Sequence, residues 1–202
     1  MSTGKKSPMI YAWLVVALLW PVAMLNYLDR MTITTMRDSL KADILMSDAQ
    51  FGLLTSVFLW VYAFLSPAAG FLADRFSRAR VIMFSLFIWS VFTWLTGHCH
   101  TVNQLLVVRA LMGIAEASYI PAALALTADY HRGPTRSLAT GIHMSGIYAG
   151  MALGGIGGYV AEHFGWRTGF SIFGVIGVGY AAVLMLLLRD APKPEAPAAS
   201  TA

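Results

Sequence analysis

The sequence predicts an all-α, polytopic membrane protein whose six transmembrane helices form an inverted repeat of three plus three. Its 202 residues are 57% hydrophobic and 12% charged, whereas soluble domains carry about 25% charged residues. The apolar residues are concentrated in six long runs, and each run is long enough, at roughly 20 residues, to cross a bilayer core as a helix. Among the six predicted helices, charged residues occur only in the first and fourth, which is the distribution expected if the leading helix of each triplet lined a central cavity.

The first run, Met9–Leu28, follows two lysines and must therefore be compared with a signal peptide. It is too long for one and lacks a small-residue cleavage site, so we expect a span that continues as helix to Met36, with Pro21 inside it. Ser47 and Gln50 form the pattern of a capping box that opens the second span. The later spans are predicted at residues 49–73, 81–97, 103–128, 137–161 and 168–188.

Three regions follow from these runs. Residues 1–8 are expected to be a cytoplasmic N-terminus and residues 9–188 the transmembrane bundle. Residues 189–202 are polar and rich in proline and alanine, so we expect a disordered cytoplasmic tail or linker.

Lysine and arginine predict the orientation, because positive loops stay in the cytoplasm. With both termini inside, the outer loops hold only Arg37, Lys41 and Arg167. The inner side then holds nine basic residues: Lys5, Lys6, Arg75, Arg78, Arg80, Arg132, Arg136, Arg189 and Lys193. We therefore expect a multi-pass protein of the inner or plasma membrane with both termini in the cytoplasm.

The composition argues against several other classes of protein. A single cysteine, Cys99, excludes an intrachain disulfide framework and a cysteine-cluster metal site. His98 and His100 flank it in an outer loop, and the sequence shows no nucleophile–base pair or set of metal ligands, so we expect neither an enzyme nor a cofactor. A dispersed formal charge of +4 is too small for a nucleic-acid groove. The expected partners are the lipid bilayer and the solutes that cross it.

Four charged side chains lie within predicted spans: Asp29, Arg30, Arg109 and Glu116. Each would cost about 2.5 to 3.5 kcal/mol at a helix centre, so we expect them to face one another or water rather than lipid. Arg109, Gly113 and Glu116 are spaced i, i+4, i+7 and share one face of their helix. Arg30 and Arg109 lie at similar distances from the outer ends of their helices, so the two cations should form an anion site.

Two interpretations of this cluster remain open. Intramembrane ionisable residues usually serve transport, but the four could instead form a neutral network that only fixes helix packing. A carboxylate beside arginine in a dry cavity is subject to opposed influences, and it can exchange a proton as an anion comes and goes. His143 in the fifth span suits either a proton relay or a hydrogen-bonded packing role.

Three motifs in the correct order resemble the major facilitator superfamily. Asn26–Arg30 reads NYLDR, a signature of part of that superfamily. Gly70–Arg80 resembles its loop motif G-x-L-a-D-R-x-G-R-R-K/R and departs from it at Ser77 and Ala79. Arg109–Ala123 is similar to the R-x-x-x-G-x-x-E-A pattern of the same transporters. Two branches share these motifs: symporters of organic anions and Spinster-like transporters, some of which move lysolipids.

The resemblance implies roles for the charged side chains and for two tyrosines. Arg30 and Arg109 would contact the anionic group of the substrate. Glu116 would contact the substrate as well and would also bind a proton. The residues expected to handle protons are Asp29, Glu116 and His143. Tyr27 and Tyr62 would line the cavity, although Tyr62 could equally be a packing residue.

The loop motif implies an inner gate built from Gly70, Asp74, Arg75, Arg78 and Asp129. Asp74 is expected to pair with Arg78 or to lie at a helix N-terminus, where a negative charge is stabilised. Arg75 is expected to reach Asp129 at the inner end of the fourth span. The alternative is that these arginines only enforce the topology.

The fifth span carries a ridge of glycines at four-residue spacing: Gly146, Gly150, Gly154 and Gly158. Such a ridge lets another helix approach backbone to backbone, either as a rocking seam or as static packing. This span lacks the Gly-Pro pair of many antiporters of the superfamily, which favours symport.

The resemblance implies twelve spans, whereas the sequence predicts six. We therefore expect the cavity to need a second six-helix half, supplied by another copy or by a missing C-terminal half. The function that we expect is proton-coupled transport of an organic anion by alternating access. A lysolipid or other amphipathic solute is the alternative substrate, and a non-transporting assembly or regulatory subunit is the alternative of another class.

Overall fold

The computed structural model describes residues 9–192, except the side chains of residues 72–74. Across that range the chain is all-α, as predicted, and it forms nine helices. The expected N-terminal segment 1–8 and the last ten residues of the expected tail, 193–202, lie outside the described residues. The helices are α1 Met9–Thr35, α2 Arg37–Asp43, α3 Asp48–Arg75, α4 Arg78–Thr96, α5 Val102–Glu116, α6 Tyr119–Tyr130, α7 Arg136–Ala152, α8 Gly155–Phe164 and α9 Trp166–Leu187.

These helices cover the six predicted spans. Five segments of the described chain are long and apolar enough to cross a bilayer: α1, most of α3, α4, α5 together with α6, and α9. The fifth predicted span, 137–161, is divided between α7 and α8, and each of these is shorter than a membrane span. The short helix α2, which the hydrophobic pattern did not predict, connects the first span to the second.

Local capping signals fix where two spans begin. Ser47 and Gln50 make the predicted capping box at the start of α3, since the Ser47 amide donates to Gln50 Oε1 at 2.9 Å and the Gln50 amide donates to Ser47 Oγ at 3.2 Å. Thr101 and Gln104 form the same reciprocal pair at the start of α5. Such boxes satisfy amides that the first helical turn leaves unpaired.

The fourth span is interrupted at Ala117 and Ser118, between α5 and α6. Pro121 explains the position of the break. It has no amide hydrogen to donate to the carbonyl of Ala117, four residues earlier, and its ring crowds that carbonyl. The break begins directly after Glu116, so it separates the charged part of the span from its inner end.

The fifth span, predicted as one continuous helix, is interrupted at Leu153 and Gly154. Glycine lowers helix stability by roughly 0.5 to 1 kcal/mol relative to alanine, and Gly154 is followed at once by Gly155. The Gly154 carbonyl accepts a hydrogen bond from Thr35 Oγ1 of α1 at 3.0 Å. A neighbouring helix therefore satisfies a backbone group at the interruption.

The helices pair in a pattern that agrees with the inverted repeat. The most extensive contacts join α1 to α7, α3 to α5, and α4 to α9. These are contacts of the first span with the fifth, the second with the fourth, and the third with the sixth. Exchanging the two triplets converts the first pairing into the second and leaves the third unchanged, as a pseudo-twofold axis requires.

The glycine ridge of the fifth span packs against α1. A Cβ atom added at Gly146 would lie 2.6 Å from the Trp20 carbonyl oxygen, and one added at Gly150 would overlap the carbonyl oxygen of Met24. The other two glycines of the ridge continue this seam, with α1 atoms of Met31 and Thr35 as the nearest neighbours on that helix. The ridge therefore sets the distance between two helices of the same bundle.

Candidate functional site

Four charged side chains of α1 and α5 lie inside the bundle. Glu116 is fully buried and Arg109 is 2% exposed. Asp29 is also buried, and the Arg30 side chain is 12% exposed. None of the four faces the surroundings as a fully exposed charge, which is the arrangement that the cost of burying charge in lipid requires.

Glu116 and Arg30 form the ion pair of this cluster. Glu116 Oε2 accepts from Arg30 Nε at 3.1 Å, and Arg30 Nη2 lies 3.1 Å from the same oxygen. Asn26 Nδ2 donates to that oxygen as well, at 2.8 Å. All three contacts therefore converge on one carboxylate oxygen. Within residues 9–192, the other oxygen, Oε1, has no hydrogen-bond partner, and neither does Asn26 Oδ1.

Three aromatic rings surround the Arg30 guanidinium. Its central carbon lies 4.5 Å from the ring centroid of Tyr62, 4.8 Å from that of Tyr27 and 5.1 Å from that of Phe58. Each such contact contributes roughly 0.5 to 2 kcal/mol. Tyr27 and Tyr62 are partly exposed, and the Arg30 side chain between them is 12% exposed, so the aromatic rings cover most of the guanidinium.

Asp29 is held by a hydroxyl rather than by an arginine. Thr93 of α4 donates to Asp29 Oδ2 at 3.0 Å. Asp29 makes no ion pair in the part of the chain that the structure describes, although both arginines are close enough to interact with it electrostatically. The carboxylate is therefore connected to the third span as well as to the charged cluster.

Arg109 lacks a carboxylate partner within the described residues. Its Nε donates to the Leu54 carbonyl at 3.4 Å, its Nη1 lies 3.6 Å from Met112 Sδ, and its guanidinium carbon lies 4.6 Å from the Phe58 ring centroid. Arg30 contacts the same Phe58 ring, so one aromatic side chain contacts both cations. Arg109 lies deeper and Arg30 nearer the surface, which makes Arg30 the more accessible of the two.

The predicted proton residue His143 lies apart from the charged cluster. Its ring is fully buried in α7, and both ring nitrogens lack a hydrogen-bond partner among the described residues. Its contacts are with Tyr119, at 6.0 Å between ring centroids, and with the backbone at Leu19 of α1. None of these contacts reaches the four charged side chains.

At the inner ends of the helices, Asp129 pairs with Arg78 instead of the expected Arg75. Arg78 begins α4, which packs against α6, whereas Arg75 ends α3 with its side chain exposed. The register of the loop therefore favours Arg78. The expected partner of Arg78, the Asp74 side chain, lies outside the described residues. A Cβ atom added at Gly70 would meet nothing within 4 Å.

Three residues of the cluster were not predicted as site residues. Asn26 precedes Arg30 by one helical turn, so a polar residue on that face of an apolar run could have indicated it. Phe58 precedes Tyr62 by the same spacing but carries no chemical signal of its own. Thr93 is a common residue in apolar helices, and only the packing of α4 against α1 identifies its partner.

Comparison with known proteins agrees with this architecture. The sequence profile of the Major Facilitator Superfamily matches residues 19–202. The probable galactarate/D-glucarate transporter GudP of Bacillus subtilis is 28% identical over 197 residues, which are 94% of this chain and 43% of that protein. Protein spinster of Drosophila melanogaster is 31% identical over 180 residues, which are 88% of this chain and 30% of that protein.

A solved structure extends the similarity to three dimensions. The crystal structure of a bacterial homologue of the human lysosomal transporter Spinster, in an inward-facing and occupied conformation, superposes with a TM-score of 0.82 at 28% identity. The match covers 92% of this chain and 46% of that one. The chain thus spans less than half the length of the relatives that it matches.

Proposed function

The chain belongs to the Major Facilitator Superfamily, and from this premise we propose that it forms one six-helix half of a secondary active transporter of an organic anion, coupled to protons. The Arg30–Glu116 pair carries the proposal. The Arg30 side chain is 12% exposed, aromatic rings surround it, and a single carboxylate oxygen holds it. A substrate carboxylate or phosphate could take the place of that oxygen with little other rearrangement.

Charge balance links the anion to the proton. Asp29 and Glu116 together offset Arg30 and Arg109, so the formal charge of the cluster is zero. A monoanion that enters at Arg30 leaves one negative charge uncompensated in a dry site, at a cost of several kilocalories per mole. A proton on Glu116 restores neutrality and also releases Arg30. On this reasoning each negative charge of the substrate travels with one proton.

The remaining residues take supporting roles in this proposal. Arg109 holds positive potential behind the Phe58 ring and attracts the anion without being the first group that it meets. Asp29 supplies a second proton site, which a dianionic substrate needs. His143 would relay protons along the seam between α1 and α7, where its ring lies against the backbone at Leu19.

Alternating access needs a second bundle around the same cavity, either another copy or a C-terminal half. The inner gate is proposed to consist of the Arg78–Asp129 pair together with Gly70, Asp74 and Arg75. These residues would contact the second bundle at the inner ends of the helices. We place both termini in the cytoplasm, on the distribution of lysine and arginine.

The test is uptake by the full chain in proteoliposomes. The oligomeric mass is determined first, and accumulation of labelled galactarate is then followed with and without an inward proton gradient. We expect Glu116→Gln to weaken the response to the gradient, because only the proton site at Asp29 remains, while anion exchange continues. As a matched control, Glu162→Gln removes an exposed carboxylate of α8. An unchanged gradient response in Glu116→Gln would refute the coupling role.

A Spinster-like amphipathic substrate is the second candidate, favoured by the 31% identity to protein spinster and by the aromatic rings around Arg30. Competition experiments separate the two candidates. Inhibition that follows acyl-chain length among lysolipids supports the second, and inhibition that follows carboxylate geometry supports the first. A dimeric chain that moves neither solute would instead support an assembly or regulatory subunit.

A further inference from the structure

A groove runs along the outside of the bundle between α4 and α5. Its volume is about 630 Å³. One wall is a line of α4 side chains at four-residue spacing, and the other wall comes from Leu111 and Ile114 of α5. The α4 line consists of Arg80, Phe84, Ile88 and Phe92. Apart from Arg80, every residue of these two walls is apolar.

The groove lies behind the charged cluster rather than in it. Leu111 and Ile114 are on the side of α5 opposite Arg109 and Glu116, as a turn of about 100° per residue places them. Phe84, Ile88 and Ile114 are 58%, 41% and 51% exposed. The proposed transport site therefore does not account for this surface.

The length of the groove matches one membrane leaflet. Arg80 and Phe92 are twelve residues apart on a helix, which is about 18 Å of rise. Half of a bilayer hydrocarbon core is about 15 Å thick. With Arg80 at the membrane surface, the apolar part of the groove extends to the bilayer centre, as a single acyl chain does.

The floor of the groove is made of small residues whose polar groups are already satisfied. Ser85 donates to the Ala115 carbonyl at 2.6 Å, and the Ser118 hydroxyl lies 3.5 Å from the same carbonyl. Small side chains at the interruption of the fourth span leave the depression between the two helices. A molecule bound against this floor would therefore contact it with hydrocarbon, because the described side chains leave no unpaired polar group there to bind a hydrogen-bonding group.

The one charged group of the groove has no side-chain partner among the described residues. Arg80 is exposed. Its backbone amide donates to Ser77 Oγ, but its guanidinium makes no hydrogen bond or ion pair within the described residues. Its neighbour Arg78 is engaged by Asp129, and Asp190 accepts from the amide of Ala79 at 2.8 Å without contacting Arg80. The guanidinium is thus placed where a lipid phosphate lies, at the polar end of an apolar groove.

We propose that this groove binds an anionic phospholipid, with the phosphate on Arg80 and an acyl chain along Phe84, Ile88 and Phe92. Basic groups between transmembrane helices on the cytoplasmic side recognise such headgroups, and each contributes about 1 kcal/mol near the surface. The lipid would hold α4 and α5 together from outside, on the helices that carry Thr93 and Glu116. This site stands independently of the transported substrate.

The test uses the full chain in detergent with equimolar phosphatidylglycerol and phosphatidylcholine of identical acyl chains, and native mass spectrometry counts the retained lipids. We expect phosphatidylglycerol to be preferred, and Arg80→Gln to lower that preference about fivefold. Arg132→Gln is the matched control, because it removes the same charge from another exposed inner arginine. Equal losses in both variants would show diffuse charge attraction and overturn the proposal.

A second variant tests the apolar part of the groove. Ser118→Leu fills the floor, so it should lower the retention of both lipids while Arg80 remains in place. Thermal unfolding confirms that the variant is folded. Unchanged lipid retention in a folded Ser118→Leu variant would show that the groove is not the lipid site. Lipid-free protein in which a second copy covers α4 and α5 would also overturn the proposal.

Discussion

The two sides of α1 differ in how they pack. Toward α7 and α8, the helix meets glycines so closely that backbone touches backbone. Toward α3, α4 and α5, it presents Asn26, Asp29 and Arg30 to a cluster of polar and charged groups. The first side leaves no room for an added atom. The second leaves two carbonyl or carboxylate oxygens without a partner within residues 9–192.

This difference indicates that one side of α1 fixes the position of the helix and the other side carries the exchangeable charged groups. The glycine seam fixes the position of α1, because the closest atoms at Gly146 and Gly150 are backbone carbonyls of α1, which cannot change rotamer to absorb a shift. The charged cluster can exchange partners, because Arg30 and Asn26 share one oxygen of Glu116, while its other oxygen has no partner within residues 9–192. A fixed frame around exchangeable charges is what an ion-coupled site needs.

The largest effect is expected at the seam. In Gly150→Ala the new Cβ overlaps the Met24 carbonyl of α1, so the two helices must separate. Overpacking costs about 1 to 3 kcal/mol and more when the backbone has to move. We expect a large fall in the midpoint of thermal unfolding in detergent.

Gly141→Ala on the same helix is the control for this prediction. A Cβ there meets nothing within 4 Å, and replacing a helical glycine contributes about 0.5 to 1 kcal/mol of stability. Equal unfolding midpoints for the two variants would contradict the assignment of the seam as the rigid part of the bundle.

Arg109→Ala is expected to lower stability less than Gly150→Ala does, but to abolish anion binding. Arg109→Ala leaves the two carboxylates facing a single cation, so anion binding should be lost while membrane insertion is retained. Binding of galactarate by the purified variant is measured beside Arg132→Gln. Affinity equal to that of the unmodified chain would remove Arg109 from the site.

The smallest effect on anion binding is expected at Thr93. Thr93→Val keeps the shape of the side chain but removes the hydroxyl that donates to Asp29. Loss of a hydrogen bond to a charged group costs about 1.5 to 3 kcal/mol. Thermal unfolding should show that loss, with anion binding weakened less than in Arg109→Ala. A Thr93→Val variant without any binding would contradict the supporting role of Asp29, because it would make the position of that carboxylate essential to the site.

Features that depend on neighbouring residues in the chain could be predicted from the sequence. The capping box at Ser47 is local, and the burial cost of charge alone indicates that Asp29, Arg30, Arg109 and Glu116 face inward. The spans themselves follow from the length of the apolar runs.

Features that depend on the rotation of one helix against another could not be predicted. Arg75 and Arg78 both lie near the inner end of α6 in the sequence-based topology, and only the packing of α4 on α6 selects Arg78 for Asp129. Thr93 is a similar case, since nothing in its local sequence indicates a carboxylate partner. The interruption at Gly154 depends on the close approach of α1, which supplies Thr35.

The proposed joint binding of a proton and an anion at the Arg30–Glu116 pair is tested most directly by counting the protons taken up on binding. Isothermal titration of galactarate in two buffers of different ionisation enthalpy gives the number taken up. The charge balance predicts about two protons for this dianion and about one in Glu116→Gln. Binding without proton uptake, or the same uptake in both proteins, would contradict the account.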